Sequence, residues 1–200
     1  MSSTVDLEQD KQSARYAILE ASARAFQQNG YQSTSMDDIA NEAGVARRTI
    51  YHHFKSKKQI LEAACIEQAQ LFLKEVKQEV EASNDFPTYV VECLLYVIDK
   101  APKSNLFMLD IAQGTGFDPI ALYFNNATLI QDWINFFEEP YVEALRNRQI
   151  NPEIRLEKMV NWFGRISTSY LQYALEDEDF NEIQRSLELF FLNALRFNSN

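Results

Sequence analysis

Five Gly and five Pro are spread through 200 residues, and this scarcity of chain breakers constrains the fold more tightly than any other feature. A turn-rich all-β chain needs such residues at every reversal, whereas long helices need them only near their ends. Neither residue occurs from Val45 to Phe86, so helix is open to that whole stretch. With 46% hydrophobic and 24% charged residues the composition is globular, and the expected class is all-α. The acidic, polar start from Met1 to Asp10 has no basic-then-apolar targeting pattern, and no apolar run approaches the roughly 18 residues that cross a bilayer. A soluble, cytoplasmic protein is expected. Cys65 and Cys93 fall at core-like helical positions without metal-ligand spacing, which reads as two buried, reduced thiols.

Periodicity predicts a first helix over about 11–29, after a loose acidic tail, with Ile18, Leu19, Ser22, Ala25 and Phe26 in one stripe. Asn29-Gly30 is its stop. Ser35 and Asp38 form a capping-box-like pair, and Met36, Ile39, Ala40 and Ala43 keep helical spacing behind it. After Ala43-Gly44-Val45 a second short helix spans about 46–52. Two short helices joined by a tight Gly-containing turn make a helix-turn-helix. At 100° per residue Arg47, Arg48, Tyr51 and His52 share one arc, while Ala46, Ile50 and His53 cluster on the other side. Ser56 and Gln59 then cap a long helix whose stripe is Leu61, Cys65, Ala69, Phe72, Val76 and Val80.

Asn84-Asp85-Phe86-Pro87 ends that helix. Further helices are expected over about 87–101 and 105–113, followed by a Gly114-Thr115-Gly116-Phe117 loop. Asp118-Pro119 opens the next stretch, which Pro140 should kink or divide before an end near Arg148. Asn151-Pro152-Glu153 opens a helix to about 175, and a last one covers 180–196, giving about nine in all.

Charge is unevenly divided. Residues 1–60 carry eight Lys and Arg against seven Asp and Glu, and residues 61–200 carry eleven against twenty-two. The span from Lys11 to Lys58 holds all eight of those bases but only four acids. A basic face of this kind suits a polyanion, and the acidic remainder discourages indiscriminate binding to it.

The segment AFQQNGYQSTSMDDIANEAGVARRTIYHHFKSKKQIL, Ala25 to Leu61, resembles the DNA-binding domain of the TetR family of bacterial transcriptional regulators. It carries in order the family's F, G, T, IA, AGV, T-I-Y-x-x-F and S-K positions. One departure is Ala46, where the family often has Ser or Thr; the missing side-chain cap costs of order 1 kcal/mol locally. The resemblance implies a three-helix helix-turn-helix domain over about 11–60, with a long linking helix from about 57. A C-terminal helical ligand-binding and dimerisation bundle over 61–200 would follow.

Arg47 and Arg48 can each make bidentate contacts to guanine or pair with phosphate. By position, the resemblance implies phosphate or base-edge contacts from Thr49 and Tyr51, phosphate neighbours in His52 and His53, and a backbone anchor in Lys57. It likewise implies a second-helix phosphate contact from Thr34 and Ser35, which a helix N-terminus favours. A recognition helix of seven residues is only about 10 Å long, so useful specificity needs a dimer on a roughly palindromic double-stranded operator. The expected dimer surface is the last two helices: Met159, Phe163, Ile166 and Tyr170, then Phe180, Ile183, Leu187, Phe190, Phe191 and Ala194. The other reading of that stripe is that part of it closes the monomer core.

Residues 86–175 hold fifteen of the twenty-five aromatic residues, a surplus that fits either core or an apolar ligand cavity. The cavity candidates are Tyr96, Met108, Tyr123, Phe124, Trp133, Phe137 and Trp162. The family mechanism implies a repressor released by a small apolar or amphipathic effector. The alternative is a bundle serving only dimerisation or a protein partner. Catalysis is not expected, nor a metal or cofactor. Both histidines lie in the DNA-facing segment, and neither a phosphate-binding Gly-rich loop nor a Gly-x-Ser-x-Gly elbow occurs.

Overall fold

The computed structural model describes residues 3–83, 85–104, 118–173 and 179–196. Among them the fold is all-α, and the only extended pairing is a single bridge between Ile150 and Arg196. The chain divides into two compact units, one drawing on Met1–Gln68 and the other on Ala69–Phe107 and Ile120–Asn200.

In the first unit α1 (Ser3–Asn29) begins well before the expected start at Lys11, so the acidic tail is helical from Ser3. Gly30, at φ +77°, closes it by donating to the Phe26 carbonyl. Ser35 and Asp38 form the capping box of α2 (Met36–Glu42). At its other end Gly44 stands at φ +65°; Val45 N–H donates to Ala40 O and Gly44 N–H to Asn41 O. That is a Schellman stop, and the left-handed position favours Gly. The turn releases the chain into α3 (Arg47–His53). Ile18, Phe26, Ile39, Ile50, Ile60 and Leu61 are almost wholly buried and form the centre of this unit's core. Ser56 Oγ accepts from Gln59 N–H at the start of α4 (Lys57–Glu79), while the Gln59 side chain accepts from Lys55 rather than from Ser56. The division between units falls inside α4.

The second unit contains α5 (Phe86–Lys100), a 3-10 turn (Ala101–Lys103), α6 (Pro119–Asn125), α7 (Ala127–Arg146) and α8 (Leu156–Tyr173). Its last element is α9 (Phe180–Ser186), prolonged by a π-helical stretch (Leu187–Leu192) and a final turn (Asn193–Leu195). Three expectations change here. Pro140 does not divide its helix: α7 runs through it, while the break falls earlier, where Asn126 accepts from Thr128 and Leu129 N–H. Asn151-Pro152 does not open α8. Its carboxamide accepts from Glu153 N–H in a local turn, its own N–H donates to Leu195 O, and helix resumes only at Leu156. The last helix is not uniform but widens into π geometry. The expected helix over 105–113 and the loop of Gly114 to Phe117 lie outside the described residues. Phe86, Tyr89, Trp133, Phe136, Phe137, Tyr141 and Phe163 form one cluster of stacked, tilted and edge-to-face rings at the centre of this unit.

Candidate nucleic-acid interface

The helix-turn-helix is positioned from beneath by apolar contacts and from its flanks by charge. Ile50 is fully buried, Phe54 is nearly so, and the Arg15 guanidinium lies 4.7 Å from the Phe54 ring centre. Arg24 Nε donates to Glu42 at 2.9 Å and ties α1 to α2. With its inner side fixed in this way, α3 exposes Arg47, Arg48, Tyr51 and His52 together, and Thr49 is half-buried beside them. The N-cap Ala46 makes no side-chain cap, as its methyl group requires. His53 is half-buried, with its ring near those of His52 and Phe54.

Arg47 is not loose on this face. Its Nε stands 3.2 Å from Asp37 Oδ1, an ion pair without hydrogen-bond alignment, and its guanidinium carbon lies 5.7 Å from the centre of the Tyr51 ring. Asp37, an acid on α2 that sequence reasoning passed over, therefore helps to place the first base of the recognition helix. Periodicity carries no signal for it, because the contact crosses between helices.

Two expected contacts are revised. Thr34 is buried, and its hydroxyl donates to the Gly30 and Ala25 carbonyls, so the side chain braces the α1–α2 loop and offers nothing to a phosphate. Lys57 is half-buried; its ammonium donates to the Tyr31 carbonyl at 2.7 Å and to Gln32 O at 3.2 Å, and lies 4.7 Å from the Tyr31 ring centre. It clamps the same loop, with at most one N–H left over. Burial, and then the Glu62 carboxylate, push the Tyr31 phenol above its ordinary range. Ser35 is exposed, but its hydroxyl is occupied on both sides: it accepts from Asp38 N–H and donates to Asp38 Oδ2. Those bonds hold the Asp38 carboxyl below its usual value. With Asp37 and Asp38 both in its first turn, α2 already carries negative charge at the end where a phosphate would sit.

The second unit holds an apolar cavity of about 70 Å³. Tyr123 and Trp133 line it, together with Phe72, Leu129, Val160 and Phe163. Phe137 is fully buried in the aromatic cluster instead, and Tyr96 reaches outward, donating its hydroxyl to Glu75. Trp162 is 60% exposed and belongs to a different, open groove with Ile166, Phe190, Phe191 and Ala194. Met108 and the side chain of Phe124 lie outside the described residues. Of the expected dimer residues, Met159, Phe163, Ile183 and Leu187 are buried within the protomer, because the stripe is broad enough to close the core on one edge. Phe180 and Phe190 stay exposed, as does Leu189, which the stripe omitted. Tyr170 is half-buried.

Cys65 and Cys93 are buried free thiols, and burial pushes Cys93 up to about 12, which keeps it protonated and unreactive at neutral pH. Among the described residues no cluster of His, Cys, Asp and Glu is placed to hold a metal ion, and no helix is long and apolar enough to cross a membrane.

A buried three-helix platform that presents two arginines, a tyrosine and a histidine on one short helix defines a helix-turn-helix DNA-binding protein. Residues 18–64 match the family model described as bacterial regulatory proteins, tetR family. Over its helix-turn-helix the chain is thus similar to DNA-binding transcriptional regulators of that family. It is 25% identical over 150 residues to the HTH-type transcriptional regulator UidR of Escherichia coli K12, covering 74% of this chain and 75% of UidR. Two solved structures share the fold. One is the TetR family repressor AlkX from Dietzia sp. strain DQ12-45-1b, implicated in biodegradation of n-alkanes, with TM-score 0.60, 16% identity and coverage of 93% and 99%. The other is the transcriptional regulator FadR from Bacillus subtilis in complex with stearoyl-CoA, with TM-score 0.58, 17% identity and coverage of 90% and 99%.

Proposed function

We propose that this regulator is a repressor that binds a roughly palindromic operator as a homodimer and is released by a small apolar or amphipathic effector. The observation that carries the reading is the exposed quartet Arg47, Arg48, Tyr51 and His52 on a helix anchored by Ile50. In this reading the two arginines read base edges or hold phosphates, and Thr49, Tyr51 and His52 flank them, while Ser35 stays engaged with Asp38. His53 contributes from its half-buried position, and Lys57 fixes the loop that sets α2 against α1. The helix-turn-helix domain over about 11–60 is the reading head, and 61–200 the regulatory part, with a cytoplasmic location following from contact with DNA.

Dimerisation is assigned to the open groove of Trp162, Ile166, Phe190, Phe191 and Ala194 with exposed Phe180 and Leu189 beside it. Large apolar side chains so gathered are costly in water and are normally covered. The effector is assigned to the cavity of Tyr123 and Trp133, whose lining also includes Ala69, Phe72 and Leu73 of α4. Since α4 is one continuous helix from Lys57 to Glu79, a ligand that displaces its later turns has a direct route to the reading head. That FadR holds stearoyl-CoA and AlkX is implicated in n-alkane degradation supports an apolar or amphipathic effector. The small cavity favours the rival reading, a bundle serving dimerisation or a protein partner alone. Fluorescence anisotropy with DNA from upstream of the protein's own gene tests the regulator reading: binding that survives excess random DNA at physiological salt supports it, and binding that random DNA competes away equally sinks it.

A further inference from the structure

We infer that the effector is an anionic amphiphile, its short apolar part held in the Tyr123–Trp133 cavity and its charged head between Lys74 and Lys77. The inference rests on the effector reading above and adds the chemistry of the ligand to it. A cavity of about 70 Å³ takes about five water-sized atoms, so it houses a short hydrocarbon group and leaves a head outside. Gln70, Leu73 and Asp132 line the cavity and also line a second, open groove of about 440 Å³ that adds Lys74, Lys77, Asn135 and Phe136. These three shared residues are the threshold between an apolar interior and a polar exterior. Gln70 Nε2 donates to Asp132 Oδ2 at 2.9 Å across it.

Lys74 and Lys77 stand one turn apart on α4, so their ammonium groups serve the same groove. Residues 61–200 hold twice as many acids as bases, yet neither lysine is paired with a carboxylate among the described residues. The neighbouring acid Glu75 faces elsewhere, accepting the Tyr96 hydroxyl. Asp132 is the one acid in the groove lining, where it accepts from Gln70 through Oδ2, so the two lysines leave the lining with a net positive charge. A carboxylate or phosphate head answers this arrangement; an ammonium head would meet two like charges.

The test is calorimetric titration of the full chain with hexanoate, hexyl phosphate, hexan-1-ol and hexylammonium. We expect both anions to bind at least tenfold more tightly than the alcohol, with hexylammonium weakest. Butanoate should bind roughly fifteenfold more weakly than hexanoate, at about fourfold per methylene removed. In a Lys74→Gln/Lys77→Gln double variant, confirmed as folded by its melting curve, the preference for anions should vanish while hexan-1-ol affinity stays. Equal binding of alcohol and anions, or a preference that survives loss of both lysines, overturns the anionic head and leaves the effector cavity standing. A favoured hexylammonium assigns the groove to Asp132 and also overturns it. If no probe binds, the effector reading falls together with this one.

Discussion

Asp37 and Lys57 show how much of this interface is decided one side chain at a time. An exposed ion pair contributes little stability, typically below 1 kcal/mol, so the Asp37–Arg47 contact matters for direction more than for folding. Asp37→Ala removes a negative charge beside the DNA face and frees Arg47 from one of its two constraints. The expected outcome is tighter binding to random DNA, a steeper salt dependence and a smaller ratio of operator to random affinity, all read by anisotropy titrations at several salt concentrations. Unchanged discrimination would mean that Arg47 needs no orienting. Arg47→Ala, by contrast, should relax base preference directly. Lys57→Ala should lower the melting temperature and weaken all DNA sequences alike, since its ammonium clamps the Tyr31–Gln32 loop. The type and spacing of Arg47, Arg48, Tyr51 and His52 were legible in the sequence because helical periodicity places them together. The burial of Thr34 and the clamp at Lys57 were not, because both depend on carbonyls brought close only by the loop.

Helix ends decide the next scale. Gly44 and Arg148 occupy the same Schellman position at the ends of α2 and α7, with φ of +65° and +53°. Arg148 N–H donates to Leu145 O and Gln149 N–H to Ala144 O, repeating the pattern at Gly44. A side chain in the left-handed region costs about 1–2 kcal/mol, of which the greater freedom of Gly when unfolded takes back about half. Arg148→Gly should therefore raise the melting temperature by about 2–4 °C, and Gly44→Ala lower it by a similar amount, by calorimetry. Opposite signs at the two positions are the checkable point. Gly44 was readable as a turn because the residue itself announces it, whereas Arg148 gives no such signal. The late start of α8 was hidden for a related reason: Asn151 followed by Pro152 reads as a cap, but its carboxamide is taken by a local turn anchored to Leu195.

For the molecule as a whole, the apolar stripe of the last two helices is part buried and part exposed, and sequence spacing alone does not divide it. Ile183 and Leu187 close the protomer core, while Phe190 is 72% exposed. Phe190→Glu should leave the helical content and protomer fold intact and shift sedimentation from dimer to monomer, with loss of operator affinity; a dimer that persists would move the interface elsewhere. The all-α class and the helix-turn-helix were legible because breaker scarcity, caps and a spaced aromatic core all agree. The cavity was legible only as an aromatic surplus, since which rings line it and which fill the core is settled by packing between distant helices.

In the proposed reading two copies of this chain meet a palindromic operator through α3. Its most direct test is selection of bound sequences from a random duplex pool by the full-length protein at physiological salt. One enriched motif is expected, made of two inverted half-sites centred about 34–36 Å apart or a multiple of that, which Arg47→Ala blurs in both halves at once. A pool that gains no consensus, or a single unpaired half-site indifferent to Arg47, would contradict it.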